Sequence, residues 1–325
     1  MIHKRAVEAV RRVVTHARCP DGYATAIVVR EVLPQAALTF LAHGTPESRT
    51  LLAEPGLLFC DIAPPPARAA EFLEAGTLVL DHHESARSLV ETFVAKEQGV
   101  FADAEREPGV SGAVLAYRHV YEALAPRDDE RAAKVRAFAE LAGIRDTFVK
   151  DDPRWRAACA QAEALFFFGE NSLSMRLFDD GSTDAARFEE MGKLLLAKRE
   201  TAVQKAVNRS YRTGTERTRI AIVHDHETVS DAAELIGDAA DLVVAFHYAV
   251  KDVPPSPDAP NARRQALLLE LSLRSQGKVD CAAFAKKSGG GGHVRAAGCA
   301  VEPASRPPHE LIVELVRAYE SDLGA

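Results

Sequence analysis

Three absences narrow the reading of this 325-residue chain before any motif does. The first is a basic excess: 40 Lys and Arg face 47 Asp and Glu, a net charge of -7. Proteins that coat long nucleic acid draw their affinity from neutralising phosphates, so long duplex nucleic acid is not an expected partner. An anionic substrate would be small and held at a local positive site, to which bound divalent ions can contribute. The second absence is a long apolar run. No stretch approaches the roughly 20 residues a membrane helix needs, and the basic start MIHKRAVEAVRRVVTH is not followed by the apolar core of a secretory signal. The third is paired cysteine. Cys19, Cys60, Cys159, Cys281 and Cys299 are scattered, odd in number and never spaced Cys-x-x-Cys. They read as reduced thiols of a cytoplasmic protein that needs no membrane partner.

The chain is longer than one average domain, and its 47% hydrophobic residues can fill two cores. Short apolar strands and helical segments alternate in the first part. Val13-Val14-Thr15, Leu38 to Ala42, Leu57 to Cys60 and Thr77 to Leu80 read as strands. Gly22 to Val32 reads as a helix, and Pro64-Pro65-Pro66 opens another, where the missing proline N–H does no harm. Such alternation predicts a parallel α/β sheet. Ser111 to about Phe168 is mostly helical, and the charged stretch Asp184 to Val207 suits a connector. A second α/β unit follows Arg209, with strands at Ile220 to Val223, Asp241 to Val250 and Gln265 to Ser275. Its helices are expected at Ser230 to Asp238, Asp280 to Ser288 and His309 to Tyr319, with a four-proline loop at Asp252 to Arg263. The expected organisation is an N-terminal parallel-sheet domain over 1–180, a helical linker over 181–208 and a smaller α/β domain over 209–325.

Two motifs carry chemistry. Leu78-Val79-Leu80-Asp81-His82-His83 ends a buried strand in three metal-competent groups. Leu57 to Cys60 likewise runs into Asp61, and Val13 to Thr15 into His16, with Asp21 soon after. Ligands of open parallel sheets gather at the carboxyl ends of the strands, so three strand ends aim Asp and His at one rim. Oxygen and imidazole donors of this kind suit Mn²⁺, Mg²⁺ or Zn²⁺. The second motif is Gly289-Gly290-Gly291-Gly292-His293. Four glycines cost too much entropy for a regular helix or strand, so a loop is expected whose bare N–H groups approach a phosphate. His293, with Arg274 or Arg295, would add charge-assisted hydrogen bonds.

The two motifs together, with Val294-Arg295-Ala296-Ala297-Gly298 after the glycines, resemble the DHH superfamily phosphoesterases that carry the DHH-associated C-terminal domain. Ser272-Leu273-Arg274-Ser275, Val279-Asp280 and Ala285-Lys286-Lys287 fit that domain as well. The resemblance spans nearly the whole chain and implies a cleft between two domains. It implies one or two Mn²⁺ ions (Mg²⁺ or Zn²⁺ being alternatives) and hydrolysis of phosphodiesters or phosphomonoesters in short single-stranded oligonucleotides or small nucleotides. The compact build is most similar to the nanoRNase and 3′-phosphoadenosine-5′-phosphate phosphatase group. Soluble phosphodiesterases of linear or cyclic dinucleotides, and a weakly catalytic nucleotide-binding sensor, are the alternatives; a homodimer is compatible with all of them.

Residue by residue, the resemblance implies His16, Asp21, Asp61, His82 and Asp146 as metal ligands, with Asp61 bridging if two ions bind. Asp81 would orient His82, and His83 would contact the scissile phosphate. Arg274, Ser275, Gly289, Gly290, Gly291, Gly292 and His293 would bind substrate. The first motif departs from the family's His-x-Asp-x-Asp-Gly. It reads His16-Ala17-Arg18-Cys19-Pro20-Asp21-Gly22, one residue longer, with Cys19 in place of the first Asp, as in a branch of the family with a similar Cys-Pro-Asp-Gly run. Either Cys19 binds and shifts the metal preference, or it does not and one site is depleted. The extra residue, which would displace His16, favours depletion.

Overall fold

A parallel strand can be buried on both faces only if its sequence is apolar throughout. The central runs Leu57–Cys60 and Leu78–Asp81 are buried along their whole length. In the computed structural model, which describes residues 2–42, 45–125, 129–224, 228–253, 264–303 and 306–323, the runs in the first part of the chain form β1 (Arg12–His16), β2 (Ala37–Leu41), β3 (Leu57–Cys60) and β4 (Leu78–Asp81). A short strand not expected from the sequence, β5 (Gly99–Phe101), completes a five-stranded sheet in the order β2-β1-β3-β4-β5, parallel throughout. Alternate side chains serve opposite faces. Val13, Leu58 and Leu80 pack with helices Pro20–Arg30, Asp129–Asp146 and Trp155–Phe168, while Val14, Leu57, Phe59 and Val79 pack with Phe72, Val90 and Phe93.

The helix after β1 begins at Pro20, two residues before its expected start. Proline in a first helical turn loses no internal hydrogen bond, and Cys19 takes the preceding cap position. Ala24, Thr25, Ala26, Ile27, Val28 and Val29 are all buried, as expected of a helix apolar on every side.

The chain divides into two compact units, Met1–Leu196 and Ala197–Ala325, with the division inside the 25-residue helix Asp184–Asn208. The second unit is a six-stranded mixed sheet: β6 (Tyr211–Gly214), β7 (Arg219–Val223), β8 (Leu242–Val253), β9 (Arg264–Ser275), β10 (Gly291–His293) and β11 (Ala296–Val301), ordered β10-β11-β9-β8-β7-β6. Helices Cys281–Lys286 and Pro308–Leu323 cover one face through Phe284, Ile312 and Val316. Helix Val229–Ile236 covers the other. Of the expected proline-rich loop, Asp252 and Val253 close β8, and the rest lies outside the described residues. Among the described residues no helix is long and apolar enough to cross a membrane.

The expectation that the glycine run forms no strand is corrected. Gly291–His293 is an edge strand, paired antiparallel with β11 through Gly291↔Gly298, Gly292↔Ala297 and His293↔Ala296. Close approach of backbones offsets the entropic cost. A Cβ on Gly290 would lie 2.2 Å from the Gly298 carbonyl oxygen. Gly292, at φ +144°, would place one 2.6 Å from the Ala296 oxygen.

Candidate metal centre and active site

In the order β2-β1-β3-β4-β5, the chain leaves β1 toward one edge for β2 and returns on its other side for β3. The crevice at the carboxyl ends of β1 and β3 is therefore the switch point where open sheets bind ligands. His16 is the last residue of β1, Asp61 follows β3, and β4 ends in Asp81 beside it. Asp61 adopts a left-handed φ of 67°, which turns the chain sharply at the strand end. Its Cβ sits against Gly112, where an added Cβ would be only 2.2 Å away.

The six candidate ligand positions fall into two donor groups of three, which Asp61 links. His16, Cys19 and Asp61 form one set and Asp21, His82 and Asp146 another, each with one ligand atom per residue within 4.8 Å of the others. Asp61 also groups with His82 and His83, and its Oδ1 lies 3.2 Å from His82 Nε2. Asp146 Oδ2 is 3.4 Å from the same nitrogen. The extra residue in the first motif does not carry His16 away from this cluster. Arg18 takes a left-handed φ of 56° in the turn between His16 and the helix, where the insertion falls.

A divalent ion fits these residues. Asp21 Oδ1 accepts from Ser111 Oγ at 2.6 Å and from the Ala113 N–H at 3.2 Å, which aims the carboxylate. Its Oδ2, and Asp61 Oδ2, are buried with no hydrogen-bond partner. Buried orphan carboxylate oxygens are costly unless a cation or proton neutralises them. Burial, with Asp21 next to it, holds the Asp61 carboxyl well above its ordinary range. The same two causes push Asp146 up to about 7. Burial and Asp21 raise the Cys19 thiol to about 12, and a bound cation would oppose all three shifts.

Metal-free protein is therefore expected to lose stability as pH rises from about 4 to about 7. The folded state holds protons on Asp61 and Asp146 that the unfolded chain has already released, so unfolding releases them. The rise at Asp146, from an ordinary carboxylate value to about 7, contributes at most about 4 kcal/mol. Thermal unfolding in chelator at pH 5 and pH 8 checks this; a melting temperature equal or higher at pH 8 sinks it.

Asp81 was expected to orient His82. Instead its Oδ1 accepts from the His83 ring Nδ1 at 2.7 Å and from the N–H groups of His82 and His83 at 2.7 and 3.1 Å. Residues two apart at a strand end share a side, which gives Asp81 to the His83 ring and turns the His82 ring toward Asp61. The Asp81 hydrogen bond raises His83 above the ordinary histidine value, whereas burial lowers His82. Burial works to raise Asp81, but His83 outweighs it and holds the carboxyl below its usual range. The pair thus favours a charged His83, half-exposed, beside a neutral, ligand-ready His82.

Ser111 and Gly112 were not expected in the site. Their partners stand 90 and 51 positions away in sequence, at Asp21 and Asp61 (111 − 21 and 112 − 61), and a Ser-Gly at a helix start signals no more than a cap. An open cleft of about 820 Å³, lined by Tyr117, Arg118, Arg136 and Glu140 among others, holds none of the candidate ligands.

The remaining candidates sit in the second unit. Arg274 and Ser275 end β9 beside the β10–β11 hairpin, with the Ser275 N–H on the Arg295 carbonyl at 3.0 Å. Arg274 Nε donates to Ser230 Oγ. Ser275 is buried and its Oγ accepts from the N–H groups of Gly277 and Val279, which gives it a turn-forming role. His293 is exposed, and around Gly291 nothing lies within 4 Å of an added Cβ.

The sequence matches no protein-family model and no curated protein. Solved structures do match. A DHH domain described as a member of the S1p family of ribosomal proteins aligns with TM-score 0.56 at 11% identity, over 98% of this chain and 88% of that one. An exonuclease RecJ bound to manganese aligns with TM-score 0.55 at 17% identity, over 97% of this chain and 94% of that one. RecJ from Thermus thermophilus, in complex with Mn²⁺, aligns with TM-score 0.53 at 18% identity over 97% of this chain but 54% of that longer one. The chain thus shares its fold with these DHH-domain structures.

Proposed function

We propose that the protein is a metal-dependent phosphoesterase that hydrolyses short single-stranded oligonucleotides or small nucleotides. The observation that carries this reading is the two-part donor cluster at the switch point of the parallel sheet, with His83 held by Asp81 beside it. Two solved neighbours of the same fold are RecJ proteins holding manganese, one of them described as an exonuclease, which supports it. His16, Cys19 and Asp61 would hold one ion and Asp21, His82 and Asp146 another, with Asp61 reaching both. Such ions supply Lewis-acid polarisation of the phosphoryl group and activation of water at neutral pH.

The chain's own groups do the rest. Ser111 and the Ala113 N–H fix the Asp21 carboxylate. Asp81 fixes the His83 ring and favours its protonated form, in which His83 offers a positive donor to a phosphoryl oxygen as charge develops there. The net negative charge suits a small substrate, and within the second unit the exposed backbone at Gly291 with His293 and Arg274 is the proposed anion-binding group. The nanoRNase and bisphosphate-phosphatase activities are the proposed forms. Mn²⁺ is the proposed ion for the Asp21 group, and the cytoplasm the proposed location.

A panel of dinucleotides, short oligonucleotides, cyclic dinucleotides and a nucleoside bisphosphate, each with Mn²⁺, Mg²⁺ and Zn²⁺, tests the reading. His83→Ala is expected to lower kcat by about 10²–10³-fold with little change in KM, as for loss of one transition-state donor. No turnover of any substrate by the wild type would remove the assignment.

A further inference from the structure

The two donor groups differ in chemistry. Asp21, His82 and Asp146 offer two carboxylates and an imidazole, a hard set. His16, Cys19 and Asp61 offer imidazole, sulfur and a carboxylate. Three protein ligands that include a thiolate, with a coordination position left open, suit a tetrahedral thiophilic ion far better than Mn²⁺ or Mg²⁺. Cys19 stands at the N-cap of helix Pro20–Arg30, and its side chain makes no full capping hydrogen bond there. Asp61 is 1% exposed and its Oδ2 has no partner.

Resting on the proposed metal centre, we propose that the centre is chemically split. Its His16–Cys19–Asp61 half takes a thiophilic divalent ion of the zinc class, and its Asp21–His82–Asp146 half takes a hard ion of the manganese class. Sulfur ligation replaces the Cys19 S–H bond with an Sγ–metal bond, and the proton leaves to solvent. The substitution of Cys19 therefore changes which ion is held and leaves the ion count unchanged.

The test uses the full metal-free chain, first with Co²⁺ and then with an equimolar Zn²⁺ and Mn²⁺ mixture. The wild type is expected to show a near-ultraviolet sulfur-to-cobalt band, to retain one Zn²⁺ and one Mn²⁺ after dialysis, and to give one sulfur at about 2.3 Å from zinc in X-ray absorption. Cys19→Ser, which keeps a good N-cap residue, is expected to lose the band and to weaken Zn²⁺ binding by at least about 100-fold. That is the upper end of what losing an outer hydrogen-bond partner costs. Cys19→Asp is expected to bind two Mn²⁺. Cys60→Ser should keep the band, since Cys60 is buried and donates to the Gly112 carbonyl. Unfolding curves of the metal-free variants separate lost ligation from lost fold. A band that survives Cys19→Ser, zinc with only nitrogen and oxygen neighbours, or two equally tight Mn²⁺ in the wild type overturns the split centre and leaves the phosphoesterase reading standing. A chain that binds no divalent ion overturns both.

Discussion

Asp61→Asn is expected to lower kcat/KM by on the order of 10³–10⁵-fold and, in the same molecule, to stabilise the metal-free protein at pH 8. The two effects share one cause. Asp61 lies near His16 and Cys19 on one side and His82 on the other, so its carboxylate is the group both halves of the centre use. Losing it removes ion binding worth several kcal/mol of transition-state stabilisation. Without a cation, however, the same carboxyl is a buried acid beside Asp21 and Asp146, held above its ordinary range by burial first and by those neighbours second. The amide mimics its protonated form at every pH and removes the cost of ionising it. Chelated wild type should lose melting temperature between pH 5 and pH 8, and the variant should lose less. Divalent ions should raise the melting temperature of the wild type more than that of the variant. Retention of two tightly bound ions by Asp61→Asn would defeat this account.

Gly112→Ala is expected to be a strongly damaging single-methyl change near the centre. The new Cβ would lie 2.2 Å from Asp61 Cβ and 2.8 Å from its Cα and Cγ, atoms that cannot swing aside as a flexible tip would. Either the helix start at Ser111 or the turn at Asp61 must shift, and both carry site contacts. Overpacking of this kind costs about 3 kcal/mol, which in a unit of this size lowers the melting temperature by about 6–12 °C. Ion affinity should fall with it, because Asp61 and the Ser111 contact to Asp21 move together. Gly291→Ala is the matched control for stability: nothing lies within 4 Å and its φ is not left-handed, so its melting temperature should change by no more than a few degrees. Equal losses in both variants would show that the clash at Asp61 is relieved cheaply.

These residues show what could be read from the sequence. β1, β3 and β4 were legible because each is a short unbroken apolar run that stops at His or Asp, and the parallel register brings three such ends together. The strands that escaped reading lack that contrast. β5 is three residues long, and β11 is built mostly of alanine, glycine and cysteine, which look no different from loop. Gly291–His293 becomes a strand only because β11 lies beside it. In the site, residue types were legible and partnerships were not. Asp81 was visible as an acid next to two histidines, but which ring it takes depends on the side each residue faces. The contact of Ser111 with Asp21 crosses 90 positions of sequence and leaves no local trace.

The position of β10 at the rim of the six-stranded sheet has a further consequence, for how the protein behaves in a crowded solution. An outer strand presents unpaired backbone groups that could template the strand of another molecule and start aggregation. Here that strand is three residues long, begins with two glycines and ends in a histidine. It is too short, and too poor in side chains, to hold a second strand in register. The rim can thus keep its backbone donors open to water and to a small anion while remaining a weak site for self-association.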